Sequence, residues 1–239
     1  MKILSRKDLE AISIRVVNAY QKLPEMADLP FYNVDPELLV SGVLGLKIGY
    51  EHLSLDRNNL GITSFTDFDI EVYDAADQPF FYALDGKTVL VEKSLRDDAS
   101  KKGRFHFCLM HEGAHHILKM LFPNDYGVPK DGSPVRFYKA CSDRKQPVTD
   151  WEEWQTNVLT SYILLPEYLV KDGMFMFGLG DKMQILNRLY RPKDYKRFTK
   201  LAAFLGVSKQ ALAIRMRGLG LLEVDQLADP YGFFDVEMG

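Results

Sequence analysis

Hydrophobic positions along the chain divide it into helical stretches at both ends and a β-rich stretch between them. Leu9, Ile12 and Val16 recur at a helical spacing near the start. Ser5 followed three positions later by Asp8 is typical of the first turn of a helix, where side chains cap free backbone amides. This pattern predicts an amphipathic helix near the N-terminus.

The next segments change from helical to strand character. Asp35 as N-cap, Pro36 at the first helical position and Gly45 as a stop signal predict a short helix. Four stretches rich in β-forming residues follow and predict strands: GLKIGYEHL, LGITSFTDFDIEVYD, PFFYAL and KTVLVEKS. Asp85-Gly86 is a turn signal, so the last two are predicted to form a β-hairpin.

The second half of the chain is predicted to be mostly helical. A helix is expected from about Ser100 to Met120, and residues 121–149, rich in Pro, Gly, Asp and Lys, are expected to form a long loop. DWEEWQTNVLTSYILLP predicts a second helix that ends at Pro166. The remainder is predicted to be helical and ends in LAAFLGVSKQALAIRMRGLGLL. This order of elements predicts the α+β fold class.

Composition narrows the class of protein without naming a function. The chain has 239 residues, of which 46% are hydrophobic and 26% charged, as in ordinary globular proteins. No apolar stretch approaches the ~20 residues of a membrane span, and the first residues lack a signal-peptide core. Two cysteines, Cys108 and Cys141, do not make a disulfide framework. We therefore expect a cytoplasmic protein with no membrane partner, and a monomer by default.

Charge is distributed unevenly along the chain. Residues 182–217 carry ten Lys or Arg against the single acid Asp194, a net charge of +9. Since the whole chain carries −3, the remaining residues carry −12 (−3 − 9 = −12). This asymmetry suggests two surfaces with different partners, although a solvated helical face would also explain it.

The most informative motif is LMHEGAHHIL, residues 109–118, which places three of the five histidines within six positions. It contains H-E-x-x-H, formed by His111, Glu112 and His115. Residues four apart lie on one face of a helix, so both imidazoles can bind one metal ion. Glu112 points about 100° away from His111, which suits a general base acting on a water molecule. The alternative is a helix whose histidines merely pack or form hydrogen bonds.

Two histidines do not complete a catalytic zinc site, which needs a third protein ligand and an open position for water. The candidates on the second helix are Glu152 and Glu153, then Asp150. Glu153 and Asn157 lie four positions apart and share a helix face, an arrangement typical of a ligand and the side chain that orients it.

The C-terminal stretch suggests a different function. Apolar spacing, a turn at Gly206 and Ser208 as an N-cap resemble a helix-turn-helix. Lys209, Gln210 and Arg217 would lie on its exposed face, where they are candidates for contact with DNA or a protein partner. The rival hypothesis is therefore a DNA-binding regulator or metal sensor with an inactive metal site.

Three segments together resemble the ImmA/IrrE family of zinc metallopeptidases: GRFHFCLMHEGAHHIL, EWQTNVLTSYILLP and LAAFLGVSKQALAIRMRGLGLL. The matching positions, within roughly residues 30–222, are Arg104-Phe105, the H-E-x-x-H motif, Glu153, Asn157, Leu164-Leu165-Pro166 and Val207-Ser208. Thr156 departs from the pattern, which usually has Ala there, and so does His116.

The resemblance implies a zincin-like metallopeptidase domain over residues 1–175, with N-terminal helices, a small sheet, an HExxH helix and a glutamate helix. Residues 176–239 would form a helical, helix-turn-helix-like C-terminal segment. It also implies Zn²⁺ bound by His111, His115 and Glu153, with Glu112 as the catalytic base and Asn157 behind the ligands. The implied substrate is a protein, specifically a repressor-type transcription regulator.

Two details of this hypothesis stay open at the level of sequence. The residue that stabilises the oxyanion is not assigned among Tyr82, Arg144 and Tyr162. The strand around Thr88–Glu92, directly before the motif helix, is the predicted pairing strand for an extended substrate.

Overall fold

The computed structural model describes residues 2–28, 30–127, 135–139 and 150–231, with Tyr138 the only side chain described within 135–139. These residues form eight α-helices and eight β-strands. The helices are α1 (Arg6–Tyr20), α2 (Pro36–Leu38), α3 (Lys93–Arg96), α4 (Lys102–Leu121), α5 (Trp151–Leu164), α6 (Glu167–Met176), α7 (Pro192–Phe204) and α8 (Lys209–Gly218). The strands are β1 (Lys47–Glu51), β2 (Asn59–Ser64), β3 (Asp67–Tyr73), β4 (Pro79–Asp85), β5 (Thr88–Glu92), β6 (Val135–Lys139), β7 (Met183–Leu186) and β8 (Leu222–Asp225). The fold is therefore mixed α+β.

A four-stranded sheet with the order β1-β5-β2-β6 supports the centre of the molecule. β1 and β5 are parallel, whereas β2 runs antiparallel to both β5 and β6. Alternate residues of a strand point to opposite faces of the sheet. Thr63 contacts α4 on one face, while Ile62 and Leu90 pack on the other face against the β3–β4 hairpin. The sheet thus lies between a helix layer and a hairpin layer.

The predicted helix starts are confirmed. Ser5 and Asp8 cap α1 reciprocally, each side chain bonding the backbone amide of the other. The Asp35 side chain accepts from the first amides of α2, which continues as a π-helical turn over Leu39–Val43. Gly45 ends this segment with a φ of 65°, a conformation that favours glycine.

The predicted hairpin at Asp85-Gly86 is wrong. Gly86 does adopt a turn conformation, with a φ of 69°, but β4 pairs with β3 and β5 pairs with β1 and β2. The turn therefore carries the chain from the hairpin layer into the sheet. The hairpin is β3–β4, and Asp74 closes its turn by accepting from the amides of Ala76 and Gln78.

The predicted long loop over residues 121–149 and the predicted all-helical C-terminal segment are each wrong in part. Residues 135–139 of the predicted loop form strand β6, and the remainder of 128–149 lies outside the described residues. The C-terminal segment is not purely helical, because β7 and β8 pair in a parallel two-stranded sheet. Short strands with few alternating positions give a weak sequence signal, which explains both errors.

One apolar core joins the N-terminal and C-terminal parts. It includes side chains from five helices: Leu9, Leu109, Ile163, Phe198 and Leu212. α7 and α8 form the predicted helix-turn-helix-like pair, with Gly206 at a φ of 70° in the turn and Ser208 capping α8. None of the helices in the described ranges is long and apolar enough to cross a membrane.

Candidate metal centre

The two helices that the sequence singled out pack against each other and carry the candidate site. α4 presents His111 and His115 one turn apart on its buried side. α5 begins beside them, because the Asp150 side chain accepts from the amides of Glu152 and Glu153 at 2.9 and 3.4 Å. Asp150 is therefore the N-cap of α5, and its cap fixes the first turn that holds the candidate third ligand.

Three ligand atoms converge in a small triangle. The Nε2 atoms of His111 and His115 lie 3.1 Å apart. Glu153 Oε2 lies 3.2 Å from the Nε2 of His111, and Glu153 Oε1 lies 3.2 Å from the Nε2 of His115. His111 and His115 are 0% and 2% exposed, whereas the Glu153 side chain is 32% exposed. The triangle is therefore closed on the protein side and accessible on the glutamate side.

These residues fit a divalent metal ion. Within the described ranges, His111, His115 and Glu153 are the group of metal-ligating side chains whose donor atoms all lie within 4.8 Å of one another. Tetrahedral zinc with bonds of about 2.0–2.2 Å separates its ligand atoms by about 3.3–3.6 Å. The observed separations are slightly shorter, so a small outward relaxation accommodates the ion. Two imidazoles and one carboxylate are a donor set that suits zinc.

The electrostatics of the triangle favour a cation at its centre. Burial lowers the pKa of His111 to about 4, against the opposing effect of Glu153. Burial also disfavours the charged form of His115, but Glu152 and Glu153 outweigh it and raise the pKa of His115 to about 9. Burial favours a neutral Glu153, yet the two imidazoles hold its pKa well below the usual range. An ionised carboxylate thus stands beside positive charge in a buried site.

Glu112 lies on a different side of α4 and is fully buried against the sheet. Its carboxylate fits there because residue 61 of β2 is glycine: a Cβ at Gly61 would stand 2.2 Å from Glu112 Oε1. Cys108, one turn earlier, donates its thiol proton to the Leu60 carbonyl at 2.8 Å. Burial raises the pKa of this thiol, so Cys108 is a core residue and does not join the ligand triangle.

Tyr138 on β6 covers the site, and sequence reasoning missed it. Its ring centroid lies 4.1 Å from that of His111, with 33° between the planes. Cross-strand partners point to the same face of a sheet, and Tyr138 is paired with Gly61, so its side chain faces α4. No motif in the neighbouring sequence predicts this contact, and the segment that contains Tyr138 was predicted to be a loop.

The structure also corrects the expectation about which strand pairs with an extended substrate. β5, the predicted pairing strand, is central in the sheet and has β1 and β2 on its two sides, so it offers no free edge. Among the described strands, β6 pairs with β2 alone and lies next to the metal-site triangle. Within this sheet β6 and β1 are thus the edge strands, and β6 is the one next to the triangle.

Two of the three oxyanion candidates, Tyr82 and Tyr162, have their described contacts with residues outside the triangle. The hydroxyl of Tyr82 lies beside Gly49, on the hairpin side of the sheet. The ring of Tyr162 lies 3.9 Å from the guanidinium of Arg215, and Arg144 lies outside the described residues. Asn157 is close to His111 and raises its pKa slightly, as expected for a side chain behind the ligand.

Glu152 occupies a position that the sequence analysis did not foresee. Its Oε1 lies 3.7 Å from the Nδ1 of His115, the ring nitrogen opposite the triangle. Glu152 is therefore not a ligand but stands directly behind one. His116 lies at the edge of the site, where its Nε2 is 2.7 Å from the Thr63 hydroxyl, and burial followed by the charge of His115 lowers its pKa to about 4.

The predicted contact residues of the C-terminal pair have mixed surroundings. Lys209 is exposed, but its ammonium donates to the Tyr195 hydroxyl at 3.0 Å. Gln210 is half-buried and Arg217 is exposed. Arg215, counted above in the basic stretch, turns into the core and pairs with Glu10 at 3.0 Å.

Comparison with models of protein families found no match. A search of curated proteins found no match either.

Proposed function

We propose that this chain is a zinc-dependent endopeptidase with a zincin-like fold, acting on a protein substrate. The observation that carries the proposal is the buried triangle of His111, His115 and Glu153 on two helices, with one side accessible. The H-E-x-x-H spacing supports it independently, because it places Glu112 on the same helix without making it a ligand.

The roles of the residues follow from their positions. His111, His115 and Glu153 would hold zinc, which when bound acidifies a water molecule and polarises a carbonyl group. The Glu112 carboxylate accepts the proton of the attacking water and returns it to the leaving amine. β6, which among the described strands pairs with β2 alone, would hold the substrate in an extended conformation, so that its carbonyl groups lie beside the triangle.

The proposed substrate class is a repressor-type transcription regulator with a helix-turn-helix. The support for this class is the resemblance of the motif segments to ImmA/IrrE peptidases. The surface of this chain adds only that the accessible side of the triangle suits an unfolded or extended segment rather than a folded surface, because the ligands themselves are buried.

The experiment uses the full chain in three forms: wild type, Glu112→Gln and His115→Ala. Each is incubated with a peptide mixture prepared from a bacterial proteome, and new peptide ends are identified by mass spectrometry. We expect zinc-dependent cleavage by the wild type and a 10²- to 10⁴-fold slower rate for Glu112→Gln, about the contribution of a general base. Glu112→Gln should retain bound zinc, whereas His115→Ala should lose it.

A matched control is Glu167→Gln, which removes a carboxylate that is exposed at the surface and, among the described residues, pairs with Lys171. It should cleave and bind zinc like the wild type. Cleavage by Glu112→Gln at the wild-type rate would reject the role of Glu112, and absence of zinc from the purified wild type in zinc-containing medium would reject the proposal.

A second candidate function, binding of DNA, is favoured by one observation. Lys193, Lys196 and Lys200 lie exposed along one side of α7, opposite the buried Phe198 and Leu201. In helix-turn-helix proteins the first helix crosses the DNA backbone, so cations on α7 would contact phosphates. Binding to duplex DNA that weakens steeply with salt and survives chelation of zinc would support this function, and binding that a triple Lys→Gln variant leaves unchanged would reject it.

A further inference from the structure

The outer ring nitrogen of His115 faces two oxygen atoms. The hydroxyl of Thr156 lies 3.4 Å from Nδ1, and Oε1 of Glu152 lies 3.7 Å from it. The first distance is that of a long hydrogen bond, and the second is an ion-pair contact. Both oxygens belong to α5, one turn apart, and both residues are buried.

Both oxygens are placed to accept a hydrogen bond from this nitrogen. The Thr156 hydroxyl has its shorter contact with the Glu152 carbonyl, at 2.8 Å, so its proton is directed there. A carboxylate oxygen is a hydrogen-bond acceptor. This arrangement favours a proton on Nδ1 of His115, and in the neutral ring the lone pair is then at Nε2, the atom that points into the triangle.

His111 is held differently. Its Nδ1 is buried and has no hydrogen-bond partner among the described residues. His111 has a polar contact with the Asn157 side chain, and the Tyr138 ring lies against its face. A carboxylate and a hydroxyl behind the outer ring nitrogen are therefore described for His115 and not for His111.

A purely structural explanation of Glu152 is incomplete. A carboxylate in the first turn of a helix is favoured by the helix dipole, which explains why α5 accepts an acid at this position. Such a residue is normally exposed, yet Glu152 is only 5% exposed, and burial of a charged group is costly unless it is paired. Its contacts include the imidazole of His115 and the backbone amide of Gly127 at 3.4 Å.

We propose that Glu152 is a positioning residue: together with Thr156 it holds the proton on Nδ1 of His115 and so presents Nε2 to the metal ion. This inference rests on the proposed function, since it concerns the affinity of the same metal site. It assigns to the neighbouring glutamates of α5 separate tasks, ligation by Glu153 and orientation by Glu152.

The test compares wild type with Glu152→Leu, Glu152→Gln and Thr156→Val. Affinity for zinc is measured by competition with a chromophoric chelator at neutral pH. Loss of a partner behind a ligand histidine typically weakens metal binding by about 10- to 100-fold. We expect this loss for Glu152→Leu, a smaller loss for Glu152→Gln, which keeps an acceptor oxygen, and a smaller loss again for Thr156→Val.

A second readout separates orientation from folding. In the ¹⁵N-histidine NMR spectrum of the zinc-loaded wild type, His115 should show a proton on Nδ1 that exchanges slowly with water. In the zinc-loaded Glu152→Leu protein that proton should exchange faster, while circular dichroism of the metal-free protein stays that of the wild type. Glu167→Gln is the matched control and should change neither measurement.

The outcomes distinguish this inference from the proposal on which it rests. Wild-type zinc binding together with unchanged affinity and unchanged proton exchange in Glu152→Leu overturns the role of Glu152 alone. Weaker affinity that is fully accounted for by unfolding of the variant overturns it as well. Absence of zinc binding by the wild type overturns the proposed function and the role of Glu152 together.

Discussion

The two faces of the four-stranded sheet bury very different side chains. The face against α4 encloses polar groups: Thr63, Glu112 and His116 all lie at or near it, and Gly61 leaves room for one of them. The face against the β3–β4 hairpin is apolar and is built from Leu53, Ile62, Ile70, Val72, Leu84 and Leu90. β2 and β5 contribute residues to both faces. The two faces therefore differ because alternate residues of the same two strands differ.

Burial has opposite consequences on the two faces. Apolar side chains lower the free energy of the folded state when they leave water. Buried polar groups raise it unless each finds a partner. On the α4 face the buried polar groups lie beside apolar core residues such as Val89 and Val91, whereas the described core of the hairpin face is apolar throughout.

The largest expected effect is on the hairpin face. Leu90 is fully buried between the sheet and the hairpin, so Leu90→Ala should leave a cavity and lower the free energy of unfolding by about 2–5 kcal/mol. Zinc affinity of the folded fraction should stay that of the wild type, because Leu90 points away from α4. Urea unfolding and chelator competition measure the two quantities.

The control for Leu90 is Phe81→Ala on the same hairpin. Phe81 is 75% exposed, so its truncation should change the free energy of unfolding by less than about 0.5 kcal/mol. If Leu90→Ala weakened zinc binding as strongly as it weakened folding, the two faces would not be independent.

The predictable part of this site is the part encoded locally. His111, Glu112 and His115 follow from helical spacing, and Glu153 follows from spacing together with family resemblance. In the structure His111, His115 and Glu153 form one group of potential metal ligands, and Glu112 is buried on the same helix as the two histidines. The helix ends at Ser5 and Asp35 were predictable for the same reason, because a cap involves residues only a few positions apart.

The parts that escaped sequence reasoning depend on contacts between distant segments. Gly61 is about fifty positions from Glu112, and Tyr138 reaches His111 only because β6 pairs with β2. The turn at Gly86 is predictable from the sequence. Whether such a turn closes a hairpin depends on which strands pair, and strand pairing cannot be predicted from neighbouring residues alone. Glu152 was a candidate ligand by sequence, yet its carboxylate lies on the far side of His115 from the triangle.

An intermediate effect is expected on the α4 face from Gly61→Ala. The added Cβ would stand 2.2 Å from Glu112 Oε1, so the carboxylate or the strand must move. We expect a loss of about 1–3 kcal/mol in the free energy of unfolding, as for other crowded core sites. Cleavage should slow as in Glu112→Gln, with zinc still bound, because the added methyl is directed at Glu112 and Cys108.

Gly218→Ala is the matched control for this substitution. Gly218 ends α8, and a Cβ there would meet no atom within 4 Å, so stability should stay the same or rise slightly. Full peptidase activity in Gly61→Ala would show that Glu112 tolerates displacement, and the close fit between β2 and α4 would then have no catalytic meaning.

The smallest expected effect concerns His106, a histidine of α4 that faces neither side of the sheet but the turn at Gly206. Burial, followed by the charge of Lys102, lowers the pKa of His106 below its ordinary value of 6.5. The unfolded chain therefore binds a proton more readily than the folded one, so stability falls as the pH drops below 6.5, by at most about 1.4 kcal/mol per pH unit for one group.

His106→Gln should remove this contribution. The free energy of unfolding of the variant relative to wild type should therefore rise as the pH is lowered from 7.5 to 5.5, measured by urea titration of the metal-free protein. The pH dependence that persists includes the other buried histidines: His111 and His116, whose lowered pKa values act in the same direction, and His115, whose raised pKa acts in the opposite direction. A difference between variant and wild type that is the same at both pH values would mean that His106 does not titrate on unfolding.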